Sequence, residues 1–159
     1  LKENEFRVTP LVRDTNVKLN GIELIQILLN LAVNGFQSTK TPHRVEIGGE
    51  VLSEPLDLAQ FKDGPNDRLL NVENMENTPP LLKLWVRDDG PGIPADVLPN
   101  IFQSYFTTKA QGQGTGLGLT IVQRLVKDGS GALHCHTKPG EGTIFTIYLP
   151  AANQPAKTV

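Results

Sequence analysis

The 159-residue sequence has one cysteine, one tryptophan and one methionine. A single thiol, Cys135, excludes an internal disulfide. Its place in the alternating stretch 132–137 reads as a strand position, and its isolation suits a reducing compartment. A basic excess is also missing: 15 Lys and Arg face 17 Asp and Glu, a formal net charge of −2. That balance argues against a nucleic-acid interface while leaving room for a local phosphate site. No apolar run is long enough to cross a bilayer, and no signal peptide is present. Because the chain begins at Leu1, further domains, including any membrane anchor, are expected outside it, with this part on the cytoplasmic side. Two common phosphate-binding signatures are absent. There is no G-x-x-x-x-G-K-[ST] stretch, and no G-x-G-x-x-G pattern follows an apolar strand.

What is present fits one globular domain: 38% of residues are hydrophobic and 20% charged,. β-like patches at 6–12 and 15–19 precede Asn20, a helix N-cap with Glu23 three residues on. The strongest helical segment runs from Gly21 to about Thr39. A strand over 44–52 contains Gly48-Gly49, which suggests a bulge or bend. Residues 53–80 are polar, carry four prolines, and read as an insertion or long loop. A strand over 81–86 follows, then a short helix over 96–102, a glycine-rich loop and a helix over about 115–127. Residues 132–137 and 143–149 read as a hairpin around Pro139-Gly140-Glu141-Gly142. The pattern predicts an α+β two-layer sandwich. Its mixed, mostly antiparallel sheet would have about five strands, with about three helices on one face. The domain would span residues 1–150, with 151–159 a flexible tail.

Three segments carry chemistry. The first is the helix from Ile22 to Phe36, apolar on nearly every side except for Glu23, Gln26, Asn30, Asn34 and Gln37. At about 100° per residue these five share one narrow stripe. Asn30 and Asn34 are neighbours one turn apart, and their carbonyl oxygens are hard, neutral ligands suited to Mg²⁺. Asn is a poor helix former, so two in mid-helix have a cost that a function would offset. The second segment is Asp88-Asp89-Gly90-Pro91-Gly92, at the end of an apolar strand. Gly90 and Gly92 let a flat ligand approach the backbone, and an acceptor-only carboxylate suits an exocyclic amine such as that of adenine. The third is Gln111 to Leu119, whose glycines open a helix. Free N–H groups there make an anion site, and Phe106-Thr107-Thr108-Lys109 just upstream adds hydroxyls and a cation.

In this order and spacing the segments resemble the ATP-binding catalytic domain of bacterial two-component sensor histidine kinases. Asn30-Leu31-Ala32-Val33-Asn34-Gly35 resembles the family's N box, and Asp88 to Ile93 its first glycine box. Ile101 to Lys109 resembles the F box, Gly114-Thr115-Gly116-Leu117-Gly118-Leu119 the second glycine box, and Gly142 to Pro150 the closing strand. The resemblance spans about residues 15–150. It implies a Bergerat-type fold, with ATP and Mg²⁺ as the ligands. By position, Asn34 assisted by Asn30 would hold the metal, and Asp88, with Gly90 and Gly92, the adenine. Thr108, Lys109, Gly114, Thr115, Gly116, Leu117 and Gly118 would serve the phosphates from a mobile lid. One departure is Gly35, where the family usually has Ala. Asn30, Asn34 and Lys109 are the candidate catalytic residues.

The resemblance also implies the reaction class. ATPases of the superfamily place a Glu one turn before the Mg²⁺-binding Asn as general base, whereas Asn30 is a neutral amide and cannot accept that proton. Glu23 lies too far along the helix to substitute. The expected acceptor is therefore a histidine on a separate helical dimerisation domain of the same parent protein, with a response regulator downstream. His43, His134 and His136 do not have the setting of that substrate histidine. His134 and His136 share one strand face, and metal binding there would need further ligands. The isolated domain is expected to be monomeric and to have no nucleic-acid partner. A superfamily ATPase and an inactive nucleotide-binding module are the alternatives.

Overall fold

A computed structural model describes residues 4–8, 15–104, 106 and 118–153. Among these, seven strands and two α-helices form two layers. The strands are β1 (Glu5–Val8), β2 (Thr15–Val17), β3 (Arg44–Leu52), β4 (Asp67–Leu70), β5 (Leu81–Asp88), β6 (Ala132–Lys138) and β7 (Gly142–Asn153); the helices are α1 (Gly21–Phe36) and α2 (Gly118–Asp128). The sheet order is β1-β3-β5-β7-β6-β4, with β2 added against the end of β7. Only the β1–β3 pair is parallel; every other pair is antiparallel.

The α1 N-terminus forms for the reason its sequence suggests. The Asn20 side chain accepts from the Glu23 N–H at 2.8 Å, and the Glu23 carboxylate accepts from the Asn20 N–H at 3.1 Å, a complete capping box,. From Leu82 onward β5 alternates. Leu82, Leu84, Val86 and Asp88 are buried on the helix side, while Lys83, Trp85 and Arg87 face the other way,. Ile27 and Leu31 of α1, Val122, Leu125 and Val126 of α2, and Leu133, Phe145, Ile147 and Leu149 of the sheet complete the core.

Four expectations are corrected. The segment 53–80 is not simply a loop: β4 lies within it and pairs with β6 as a sheet edge, flanked by 3-10 turns at Leu58–Gln60 and Val72–Asn74. The tail does not begin at 151, because Ala151–Asn153 extend β7 and pair with β2. The 96–102 segment forms a 3-10 turn, Leu98–Asn100, not an α-helix. Gly48-Gly49 makes no bulge; the register stays continuous, with Gly48 opposite Trp85 and Gly49 opposite Leu84. A Cβ at Gly48 would collide with the Trp85 ring, so the glycine makes room for an indole lying across the neighbouring strand.

Candidate nucleotide-binding site

The middle of the sheet and α1 bring the first two segments together. β5 lies between β3 and β7, and Asp88 at its end is paired with Val45 on one side and Thr143 on the other. α1 crosses this end of the sheet closely. A Cβ at Gly35 would lie 3.2 Å from Val45 Cγ2 and 3.5 Å from Asp88 Cβ. The amide-bearing helix thus packs closely on the carboxylate strand at Gly35, where an Ala methyl would fit only tightly against Val45.

Asp88 is only 5% exposed. Its Oδ1 accepts from the Gly90 N–H at 3.0 Å. Burial pushes its carboxyl up to about 6; the Gly90 N–H, the field of His43 and the nearby Ser38 hydroxyl pull it back down, and the charge of Asp89 pushes it up,. A buried acceptor held by a backbone donor at its rim has the character expected of a group that receives a ligand's N–H. Gly92 has a second use beyond ligand approach. It sits at φ +76°, and a Cβ there would collide with the Lys138 carbonyl, so the turn after Asp88 packs directly on the β6–β7 hairpin. Gly140 N–H donates to the Pro91 carbonyl at 2.7 Å, and Ile93 N–H donates to Thr137 Oγ1 at 2.8 Å.

On α1, Asn30 and Asn34 are both half-buried. Asn30 Nδ2 donates to the Gln26 carbonyl at 2.9 Å, which directs Oδ1 away from its own helix. A Cβ at Gly118, the first residue of α2, would lie 3.1 Å from that oxygen. The start of the helix that follows the glycine-rich loop therefore abuts the amide stripe. Glu23 is committed to the cap, where its carboxylate receives the Asn20 N–H. Thr108, Lys109, Gly114, Thr115, Gly116 and Leu117, all expected at the phosphates, lie outside the described residues. Of the candidate residues, the structure brings Asn30 to Gly118, and Asp88 to Gly90 and α1.

Several neighbours were not found by sequence. Ser38 hydrogen-bonds the Gly35 carbonyl at 2.8 Å and lies beside Gly90. Thr137 and Thr143 are buried and share a hydrogen bond at 2.9 Å beneath the Asp88 turn. His43, also buried, sets its Nε2 2.7 Å from the Gly35 carbonyl. These are common polar residues in short loops and strands, and only pairing across the sheet brings them to the site. The helix also differs from its reading as a segment built for burial. Ile22, Ile25, Leu29 and Val33 are exposed by 78, 65, 60 and 41%, forming an apolar stripe beside the amide stripe.

A two-layer sandwich of a mostly antiparallel sheet with both α-helices on one face is the Bergerat-type fold. The sequence pattern described as histidine kinase-, DNA gyrase B-, and HSP90-like ATPase matches residues 20–153, and the chain belongs to this family. It is 32% identical over 149 residues to the sensor histidine kinase ZraS of Salmonella typhi, covering 94% of this chain and 26% of that protein. It is 31% identical over 136 residues to the sensory histidine kinase/phosphatase NtrB of Rhizobium leguminosarum bv. phaseoli, covering 86% and 32%. A 65-residue stretch is 52% identical to the sensor kinase CckA of Brucella abortus, covering 41% of this chain and 7% of that one. Among solved structures, the mycobacterial sensor histidine kinase MprB superposes with a TM-score of 0.59 at 25% identity, over 96% of this chain and 83% of that one. Full-length ShkA in complex with AMPPNP superposes with a TM-score of 0.63 at 25% identity, over 97% and 26%. The chain spans at most about a third of these curated relatives. No helix among the described residues is long and apolar enough to cross a membrane.

Proposed function

We propose that this domain binds Mg-ATP and transfers the γ-phosphoryl group to a histidine on a separate helical dimerisation domain of its parent protein, which then supplies a response regulator. The observation that carries the reading is the state of α1. The position one turn before Asn34 is Asn30, an amide whose NH₂ is tied to the Gln26 carbonyl, and the helix's one carboxylate, Glu23, is held in the N-cap. Neither can take a proton from an attacking water. An imidazole nitrogen needs no such base. Its lone pair forms the N–P bond as the bond from phosphorus to the bridging oxygen breaks, and ADP leaves with that electron pair.

Asn34 and Asn30 carry hard amide oxygens one helical turn apart, a donor type suited to Mg²⁺, and the Asn30 hydrogen bond turns its oxygen away from its own helix toward Gly118,. When bound, Mg²⁺ supplies charge neutralisation between phosphate oxygens. Asp88 receives the adenine amine. Lys109, Thr108, Thr115 and the backbone of 114–118 serve the phosphates by their place in the sequence motif. Catalysis is chiefly positioning and charge stabilisation. The exposed stripe Ile22, Ile25, Leu29 and Val33 borders the amides and supports docking of the helical histidine domain there, since the acceptor has to reach the phosphate end of the site.

The test is incubation with labelled ATP. Alone, the chain should bind ATP but turn it over slowly and gain little acid-labile phosphate. Given the helical domain of its own parent, it should label that domain. Rapid hydrolysis by the chain alone would instead favour a superfamily ATPase. Binding without labelling would favour an inactive nucleotide module.

A further inference from the structure

The face of the sheet turned away from the helices carries a second constellation. His134 and His136 are two apart on β6, so both point to this face, and Cys135 between them points into the core with no exposure,. In the β4–β6 register Asp67 lies directly opposite His136. One carboxylate oxygen, Asp67 Oδ1, is 2.7 Å from His134 Nε2 and 2.9 Å from His136 Nδ1. Together the three ligand atoms lie within 4.8 Å of one another. The third ligand that the sequence could not supply comes from the segment read as a loop.

We propose that Asp67, His134 and His136 form a binding site for a divalent first-row transition ion of the zinc type, separate from the nucleotide site. Two imidazoles and one carboxylate are the donor set such ions take, with a fourth position left open to water or an outside ligand. A tetrahedral ion with bonds of about 2.0 Å places its donors about 3.3 Å apart. The observed contacts to Asp67 need to open by roughly half an ångström, a movement within side-chain reach. The site is accessible: the side chains of His134, Asp67 and His136 are 21, 31 and 44% exposed. His136 also borders an open cleft with Arg87, Lys138 and Glu141 that reaches the end of β5 at Asp88, whose side chain is buried on the opposite, helix-facing side of the sheet.

The surroundings hold the ligands in place. The Phe61 ring stands edge-on to His134 at 5.8 Å and to Tyr148 at 5.7 Å, fixing the imidazole from one side. Asp63 accepts from the Leu69 N–H and pairs with Arg68, which ties the turn before β4 to the strand that carries Asp67. Phe61, Asp63 and Asp67 all belong to the 53–80 segment. A bound ion would cross-link this segment to β6 and stabilise the sheet edge. Mg²⁺ favours all-oxygen shells and competes poorly for imidazoles, so the two metal sites differ in the ion they select.

The experiment uses the whole 159-residue chain stripped of metal with a chelator. Zn²⁺ alone is titrated by calorimetry in excess Mg²⁺, Co²⁺ serves as an optical probe, and the histidine ring resonances are followed by NMR. One equivalent should bind despite the Mg²⁺. It should perturb the rings of His134 and His136 but not His43, and raise Tm. His136→Gln and Asp67→Asn should each weaken Zn²⁺ binding by about tenfold or more and reduce the Tm rise. The most exposed ligand, His136, gives the variant that keeps its fold, as checked by circular dichroism. Absence of saturable binding would overturn the proposal. So would an affinity unchanged in both variants, or a bound ion that perturbs only His43 or Cys135.

Discussion

Replacing Asp88 with asparagine should strengthen the empty domain and weaken its nucleotide complex. Asp88 is 5% exposed, and burial lifts its carboxyl from 3.8 to about 6. A shift of that size corresponds to about 3 kcal/mol of folded-state stability lost when the group ionises. The sign follows from the protons. The folded chain holds this proton more tightly than the unfolded chain, so the group's stabilising contribution is complete below about pH 3.8. It is lost as pH rises through about 6 and stays lost above,. The amide of the Asp88→Asn variant stays neutral throughout, and its oxygen can still accept the Gly90 N–H. The variant should therefore match the parent near pH 3.5 and exceed it by up to ~3 kcal/mol at pH 7.5, roughly 6–12 °C in Tm. For nucleotide the order reverses. An amide can turn donors toward the adenine amine, and losing a charge-assisted hydrogen bond costs about 1.5–3 kcal/mol, or roughly 10–150-fold in affinity. Denaturant titrations of both proteins from pH 3.5 to 8 and calorimetry with a non-hydrolysable ATP analogue read the two effects. The parent's affinity should fall as pH drops through about 6, while the variant's stays flat. A variant less stable at pH 7.5, or a stability difference independent of pH, would refute the burial argument. Unchanged nucleotide affinity would remove Asp88 from the site.

Four further outcomes are expected. Asn34→Ala should reduce ATP affinity in Mg²⁺ far more than in chelator; equal losses in paired titrations would exclude the metal role. Ile25→Ser with Leu29→Ser, at positions 65 and 60% exposed, should leave Tm within about 1 °C and ATP binding intact. The same pair should slow labelling of the histidine domain several-fold, and an unchanged labelling rate would place docking elsewhere. Replacing residues 55–78 with a short Gly/Ser linker removes β4 and bares the edge of β6. Loss of the half-buried Leu69 and Leu70 and their pairing should cost about 2–3 kcal/mol, or roughly 4–12 °C by thermal denaturation, while an unchanged Tm would restore the loop reading. Gly48→Ala should destabilise by about 1–3 kcal/mol in denaturant titrations, because the new methyl meets the Trp85 ring,.

The sequence alone determined the features with short-range causes. The Asn20 and Glu23 cap, the 3.6-residue spacing of the amides, the alternation of β5 and the turn between β6 and β7 are all set within about ten residues. These local signals suffice for the class of fold. The order and spacing of the glycine-rich segments suffice for the family. Tertiary structure decided whatever depends on distant partners. β4 is four residues of mixed polarity in a proline-bearing segment, and it is a strand because β6 offers it an edge to pair with. Ala151–Asn153 are ordered because β2 pairs with them from the other end of the chain. The glycine at 48 looks like a loss of strand propensity until the Trp85 ring is seen against it. The elevated carboxyl of Asp88 comes from burial, which composition does not encode. Likewise His134 and His136 became a three-ligand cluster only when the β4–β6 register set Asp67 across from them. Local periodicity fixes which face a side chain takes; the neighbour it meets there is fixed by pairings that bring together residues about 40 to 140 positions apart,.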